Sequence, residues 1–332
     1  MRKTSLNQFI HFVCFLLFFL VSIIQHSTAQ TMCTNSGTDQ ITGIRDGYRY
    51  ELWNQNGRGT ACITVGSGAL FSGEWSDIEN YLARRGLGYD QTKEHQEIGT
   101  FYSVYNCNYN PNTASGNSYL SIYGWTVNPL REFYIIEDWR NWIPSMSSTA
   151  TKKGSITVNE GTYDIYVDTR VNQPSIVGTT TFQQYFSIRR DRRDSGVVNI
   201  SDHFNEWELL GMDMGKMYEV SFVVEGYKSS GSFEFNTLEI LVNSDSVSGT
   251  DNLINAPELK IYSDTDSGRV SFKFCDSALN SNIKIYDVSG KLVFYQYGIT
   301  KNELELSNLK SGIYFINVNN KETNYSTKFS VY

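Results

Sequence analysis

A chain of 332 residues with a formal net charge of −7 has room for one large or two ordinary domains, and it carries no basic block to attract nucleic acid or an anionic membrane. Its four histidines and five cysteines include no CxxC pair and no two histidines at ligand spacing, which argues against zinc.

The first residues read as an export signal. Arg2 and Lys3 precede an apolar run of about ten residues, Phe12 to Val21, too short for the ~20 that span a bilayer. Ser27, Thr28 and Ala29 then offer a cleavage site, so 1–29 is assigned as a signal peptide. The product is expected to be secreted or held at the cell surface, without a membrane span. Removing that segment takes two positive charges and no acid, and the remainder is more acidic still. Cys14, His11 and His26 leave with it. Cys33, Cys62, Cys107 and Cys275 remain, and four cysteines allow three pairings among which sequence does not choose. Only His95 and His203 are left for histidine chemistry, and they read as a turn residue and a helix-start residue. The chemistry should rest on carboxylates.

Residues 30–46 form an N-terminal extension. From 47 onward, many short segments alternate with the period of strands, in a chain that is 14% aromatic. In Ser118 to Trp125, Tyr119, Ser121, Tyr123 and Trp125 share one face while Leu120 and Ile122 take the other. Rings stack on the C–H faces of pyranoses and hydroxyls meet their edges, so that face suits a sugar groove; a solvated outer face would look the same. In Glu132 to Glu137, Glu132 and Tyr134 share a face. In Tyr218 to Glu225, Glu225 shares one with Ser221 and Val223. Two glutamates on such faces fit glycoside hydrolysis, which needs one ionised and one protonated carboxyl group. A lone strand glutamate is ordinarily a surface residue. Asp202 to Leu210 is the one helix, capped by Ser201 or Asp202, with Phe204, Trp207 and Leu210 on one face. Residue by residue, this predicts an all-β, two-sheet sandwich or jelly roll that binds sugar, with hydrolysis left open.

Residues 244–257 are small and polar and read as a linker. Strands return from 258 to 332: Ile283 to Val288 and Lys291 to Tyr295 form a hairpin around Ser289 and Gly290, and Gly312 to Val318 follows. This is a second β-sandwich of roughly 75 residues, and few contacts are expected between it and the first domain.

Longer motifs add a resemblance. The segment 118–137, SYLSIYGWTVNPLREFYIIE, resembles the nucleophile region of glycoside hydrolase family 11 xylanases. VEGYKSSGS at 224–232 is similar to the family's acid/base segment. RVNQPSIVG at 170–178 resembles its thumb hairpin, QYFSIRR at 184–190 the returning strand, and DHFNEW at 202–207 the single helix. The likeness runs in family order over 47–243.

It implies the jelly roll, and a retaining endo-β-1,4-xylanase without metal or cofactor, with Glu132 as nucleophile and Glu225 as acid/base. Tyr123 and Tyr134 would orient the nucleophile and sugar, with Arg170 close by. Pro174 and Ser175 would form the thumb tip and Gln184 would line the cleft. Trp53 would stack a distal sugar, Trp125 would wall the site, and Asn80 would stand beside the acid/base, a feature of members that work near neutral pH. A β-glucan-cleaving jelly roll and a non-catalytic xylan binder are the rivals; the narrow thumb opposes the first and the presence of both glutamates the second.

Leu87 and Phe186 stand where family tryptophans are usual, and Glu219 where a tyrosine is common. A staple from Cys33 to the core is implied as an option. The C-terminal segment resembles, through IYDVSGKLV at 285–293 and LKSGIYF at 309–315, the sorting domain of type IX secretion cargo, which would make that machinery a partner. YSDT stands at 262–265 in place of its usual opening. A polysaccharide-binding module is the competing reading, weakened by the absence of tryptophan after Trp207.

Overall fold

The computed structural model describes residues 29–34, 39–112, 114, 116–243, 260–264, 269–274, 279, 281–307, 309–319 and 324–331. The signal segment (but for Ala29), the linker 244–257 and Cys275 lie outside these.

Two large sheets form the first unit. One has nine strands in the order Thr151–Val158, Gly161–Gln173, Thr180–Arg189, Arg131–Arg140, Asn117–Val127, Lys216–Tyr227, Asn80–Gly88, Tyr48–Asn54 and Gln40–Arg45. The other has six, ordered Gln30–Thr34, Thr60–Val65, Phe71–Ser76, Gly231–Asn243, Thr100–Pro111 and Ser195–Val198. Neighbours pair antiparallel, except that Thr180–Arg189 runs parallel to Arg131–Arg140.

Period-2 alternation sends Leu120, Ile122, Phe133, Ile135, Val220, Phe222 and Val224 into the core between the sheets, all fully buried. The other parity of the same strands, Tyr123, Trp125, Tyr134, Ile136 and Val223 among them, builds a separate cluster on the outward, concave side. The expected jelly roll is the one observed.

The helix spans Ile200–Leu209, starting two residues before the expected position, with Asn199 at its N-cap. Neither Ser201 nor Asp202 caps it. Ser201 Oγ instead accepts a hydrogen bond from the Phe101 amide at 2.8 Å, which ties the helix to the six-stranded sheet. Phe204 and Trp207 are fully buried as expected. His203, in the helix's first turns, is also fully buried. Burial disfavours its charged form and takes its pKa down to about 3. His95 opens a single helical turn and is likewise buried and shifted down, to about 4, by the same cause.

Cys33 and Cys62 form a disulfide between paired residues of neighbouring strands, which staples the N-terminal extension to the core. Cys107 is free and buried.

The C-terminal strands make a three-stranded and a four-stranded sheet around their own core of Val270, Phe272, Ile283, Ile285, Ile316 and Val318. Contrary to the expectation of few contacts, this module packs on the outer face of the six-stranded sheet. Tyr286 and Phe315 join Tyr102, Val104, Val197 and Leu241 in one buried cluster. Glu239 receives hydrogen bonds from Lys284 at 2.7 Å and Tyr286 at 3.0 Å. Gly290, at φ 76°, lies so close to the Tyr105 carbonyl that a Cβ would stand 2.6 Å from it.

Candidate active site

The concave side of the nine-stranded sheet holds a groove with two lobes. One is lined by Glu51, Trp53, Leu82, Arg84, Trp125 and Tyr218, among others. The other runs past Tyr119, Trp142, Asp168, Phe186, Tyr227 and Lys228. Asn80, Tyr134, Arg170, Gln184 and Glu225 border both, so the carboxylates lie where the lobes meet.

Register explains the assembly. Gln184 pairs with Glu132 across the parallel strands, Trp125 pairs with Glu132 on the other side, and Tyr123 pairs with Tyr134. Three neighbouring strands therefore place one parity of residues around a single carboxylate. Glu132 is 7% exposed and accepts three hydrogen bonds: from Gln184 Nε2 at 2.5 Å, Tyr123 Oη at 2.8 Å and Tyr134 Oη at 3.2 Å. Burial raises its pKa, while the three donors and the nearby Arg170 cation pull against that rise.

Glu225 accepts from Asn80 Nδ2 and Tyr134 Oη, each at 3.3 Å. Burial first, and the Glu132 charge second, lift its pKa to about 7, with Asn80, Tyr134 and Arg170 opposing. The Tyr134 hydroxyl thus touches both carboxyl groups but has one proton to give. If Glu225 carries its own proton, all three groups are satisfied in a line: Glu225 donates to Tyr134, and Tyr134 donates to Glu132.

Every residue that the sequence assigned to the catalytic pair or the sugar path borders this groove. Trp125 donates its indole N–H to Tyr123 Oη at 2.5 Å, so it supports the tyrosine as well as walling the site. Trp53 lines one lobe, and Pro174 and Ser175 stand over it in the turn between Gly161–Gln173 and Thr180–Arg189. The Ser175 hydroxyl is occupied within that turn, donating to the Gly178 carbonyl.

The substituted aromatics separate into two cases. Leu87 packs on the inter-sheet core, away from the groove. Phe186 stacks under Tyr134 with centroids 5.3 Å apart. Glu219 is buried and bound to Arg84, and Tyr218 is the residue that reaches the groove. From Glu225 back to Glu219 the pairing is in step, so Glu219 keeps the parity of Glu225; the register slips between Met217 and Glu219, and that slip brings the intervening Tyr218 to the groove as well. Arg84, Glu51, Trp142 and Tyr227 were not anticipated. A strand arginine reads as solvated, and Trp142 lies beyond a strand end where alternation gives no face.

Residues 45–236 match the family described as Glycosyl hydrolases family 11. The chain belongs to that family. Residues 264–332 match a secretion system C-terminal sorting domain. The family 11 chain is 52% identical over 193 residues to an endo-1,4-beta-xylanase A of Thermoclostridium stercorarium, covering 58% of this chain and 28% of that protein. It is 46% identical over 207 residues to the endo-1,4-beta-xylanase A of Bacillus pumilus, covering 62% and 87%. It spans no more than about a third of the two T. stercorarium proteins it matches, 28% and 36%. Among solved structures, the family 11 xylanase from Neocallimastix patriciarum superposes with a TM-score of 0.60 at 36% identity, covering 64% of this chain and all of that one.

Among the described residues no group of three His, Cys, Asp or Glu could hold a metal ion, and no helix is long and apolar enough to cross a membrane.

Proposed function

We propose that this family 11 chain is an endo-β-1,4-xylanase that cleaves xylan with retention of configuration. The observation that carries the reading is the pair of carboxyl groups joined through one tyrosine hydroxyl where the two lobes of the groove meet. Because Tyr134 Oη lies 3.2 Å from one oxygen and 3.3 Å from the other, the oxygens can be separated by no more than those two bonds laid end to end. That limit is the bottom of the ~6.5–9.5 Å range of inverting enzymes and admits the ~5–5.5 Å of retaining ones.

The environments divide the roles. Glu132, with three donors, is the better anion and attacks the anomeric carbon. Glu225, held near pH 7 by burial and by the Glu132 charge, protonates the leaving oxygen; its carboxylate then takes a proton from the water that releases the glycosyl-enzyme. Groove on both sides of the carboxylates accommodates a chain running past them, which supports attack on internal bonds. The xylanase names of the relatives support xylan as substrate. Tyr123, Tyr134 and Gln184 orient the nucleophile; Asn80 attends the acid. Trp53, Trp125, Arg170, Pro174 and Ser175 shape the sugar path. We assign 1–29 to the signal peptide, 47–243 to the catalytic domain and 258–332 to a module that engages a secretion machinery, giving a secreted or cell-surface enzyme.

Reducing-sugar release from xylan and carboxymethylcellulose, measured side by side, tests the substrate. Release from xylan alone is expected; equal release from both would mean a broader glucanase. Activity should fall as pH rises through about 7, where Glu225 loses its proton.

A further inference from the structure

The groove face carries a charge cluster that the two-carboxylate chemistry does not use. Asn80, Leu82 and Arg84 are successive groove-facing residues of their strand. Arg84 pairs with Glu51 on one neighbouring strand and with Val223 on the other, two residues along from Ser221, which itself pairs with Tyr123. A diagonal across the sheet therefore runs from Glu51 and Arg84 to Tyr123, two residues off their row, and on to its pair Tyr134. Arg84 is 8% exposed and its guanidinium is held as a fork: Nη2 lies 2.7 Å from Glu51 Oε2, and Nε 2.9 Å from Glu219 Oε1. Glu51 is steadied by Gln40, and Glu219 by the Ser221 hydroxyl. With both edges of the guanidinium tied down, its plane is fixed over Tyr123, with Cζ 5.2 Å from the ring centroid.

We propose that Arg84, clamped by Glu51 and Glu219, is a positioning residue that acts on the nucleophile through Tyr123. The inference rests on Glu132 being the nucleophile. A cation against a phenol ring draws electron density from it and makes the O–H a stronger donor. Tyr123 spends that donor on Glu132 Oε1 at 2.8 Å, while its oxygen is already held by the Trp125 N–H. A stronger donor stabilises the ionised nucleophile and keeps Glu132 the acidic member of the pair. The fork also locks the ring, so that the hydroxyl stays aimed. The charged and titratable groups around Glu132 are Tyr134 on its own strand, Tyr123, Glu225 and Glu219 on the next two, Arg84 and Glu51 beyond them, and Arg170 from the opposite side.

The test is the pH–rate profile of kcat/KM for R84Q/E219Q, which removes the cation together with one of its carboxylates, and for R84K, which keeps charge but loses the fork. In R84Q/E219Q the acid limb should rise by about one pH unit and kcat fall about tenfold, with KM within about twofold. R84K should retain most of the acid limb. A rise in KM with an unmoved acid limb would make Arg84 a sugar contact and overturn the proposal, as would unchanged kinetics in folded protein. Should R84Q/E219Q fail to fold, the cycle with Y123F decides: R84K should cost nothing further once the hydroxyl is gone, and additive losses would overturn the coupling. Full turnover in E132Q would instead overturn the nucleophile assignment beneath it, whatever the Arg84 variants do.

Discussion

The two sheets share one core and turn opposite faces outward, and those faces use the same residue types to different ends. On the nine-stranded sheet, Glu132 accepts from two tyrosines and an amide, with no cation within ion-pair distance among the described residues. On the six-stranded sheet, Glu239 accepts from Tyr286 and also from Lys284, which cancels its charge, and Tyr102, Val104, Val197 and Leu241 around it are closed off by the C-terminal module. A carboxylate shielded from water becomes a reagent where neutral donors hold it and a groove reaches it. With a lysine against it and apolar surface over it, it becomes a latch.

The comparison is broken most severely by removing the reagents. E225Q should lower turnover on xylan on the order of 10²–10⁴-fold, yet recover much of it on an aryl xyloside whose leaving group needs little protonation; E132Q should fail on both. Equal losses for E225Q on the two substrates would void its role as acid.

The latch is tested by E239A, which leaves Lys284 and Tyr286 unpaired at the module boundary. Tyr286 is buried while Lys284 stays partly in water, so the loss should be about 1 kcal/mol and thermal unfolding should begin slightly earlier, with turnover at 25 °C unchanged. An unaltered melt would mean that the module adds no stability through this contact.

Asn80→Asp sharpens the groove side. The amide donates to Glu225, whereas a carboxylate there would repel it, so keeping both groups neutral demands a lower pH. The acid and base limbs should both move down by about one unit; a profile that stays in place would show that Asn80 does not act on Glu225.

Stability should also follow the Glu225 proton. Glu225 has a folded pKa of about 7 against an ordinary value of 4.5, so the unfolded chain binds fewer protons between these, and stability declines as pH rises from 4.5 to 7. E225Q removes that decline. Its melting temperature should exceed the parent's more at pH 8 than at pH 4, and an equal offset at both would contradict the shifted pKa.

Much of the groove was legible because alternation is strict wherever pairing is regular. Glu132, Tyr134, Tyr123, Trp125 and Glu225 fell on the correct face from spacing alone, and the longer motifs supplied Gln184, Asn80 and the thumb residues. Where the ladder slips, the parity argument fails. The shift between Met217 and Glu219 hid Tyr218, which it turns to the groove side. The helix start was misplaced because a serine and an aspartate near a helix N-terminus look like caps even when the backbone has already turned. The docking of the module had a signal that was passed over. Phe101, Tyr102, Val104 and Tyr105 are apolar on both parities, the mark of a strand covered on both sides.

The most direct test is to trap the intermediate. A 2-fluoro-xylobioside with a good leaving group slows release of the glycosyl-enzyme more than its formation. Intact mass and peptide mapping should then find one sugar adduct per chain, on Glu132, with the Glu225 peptide unmodified. An adduct on Glu225 would reverse the two roles, and turnover to an inverted product without any adduct would contradict the retaining mechanism.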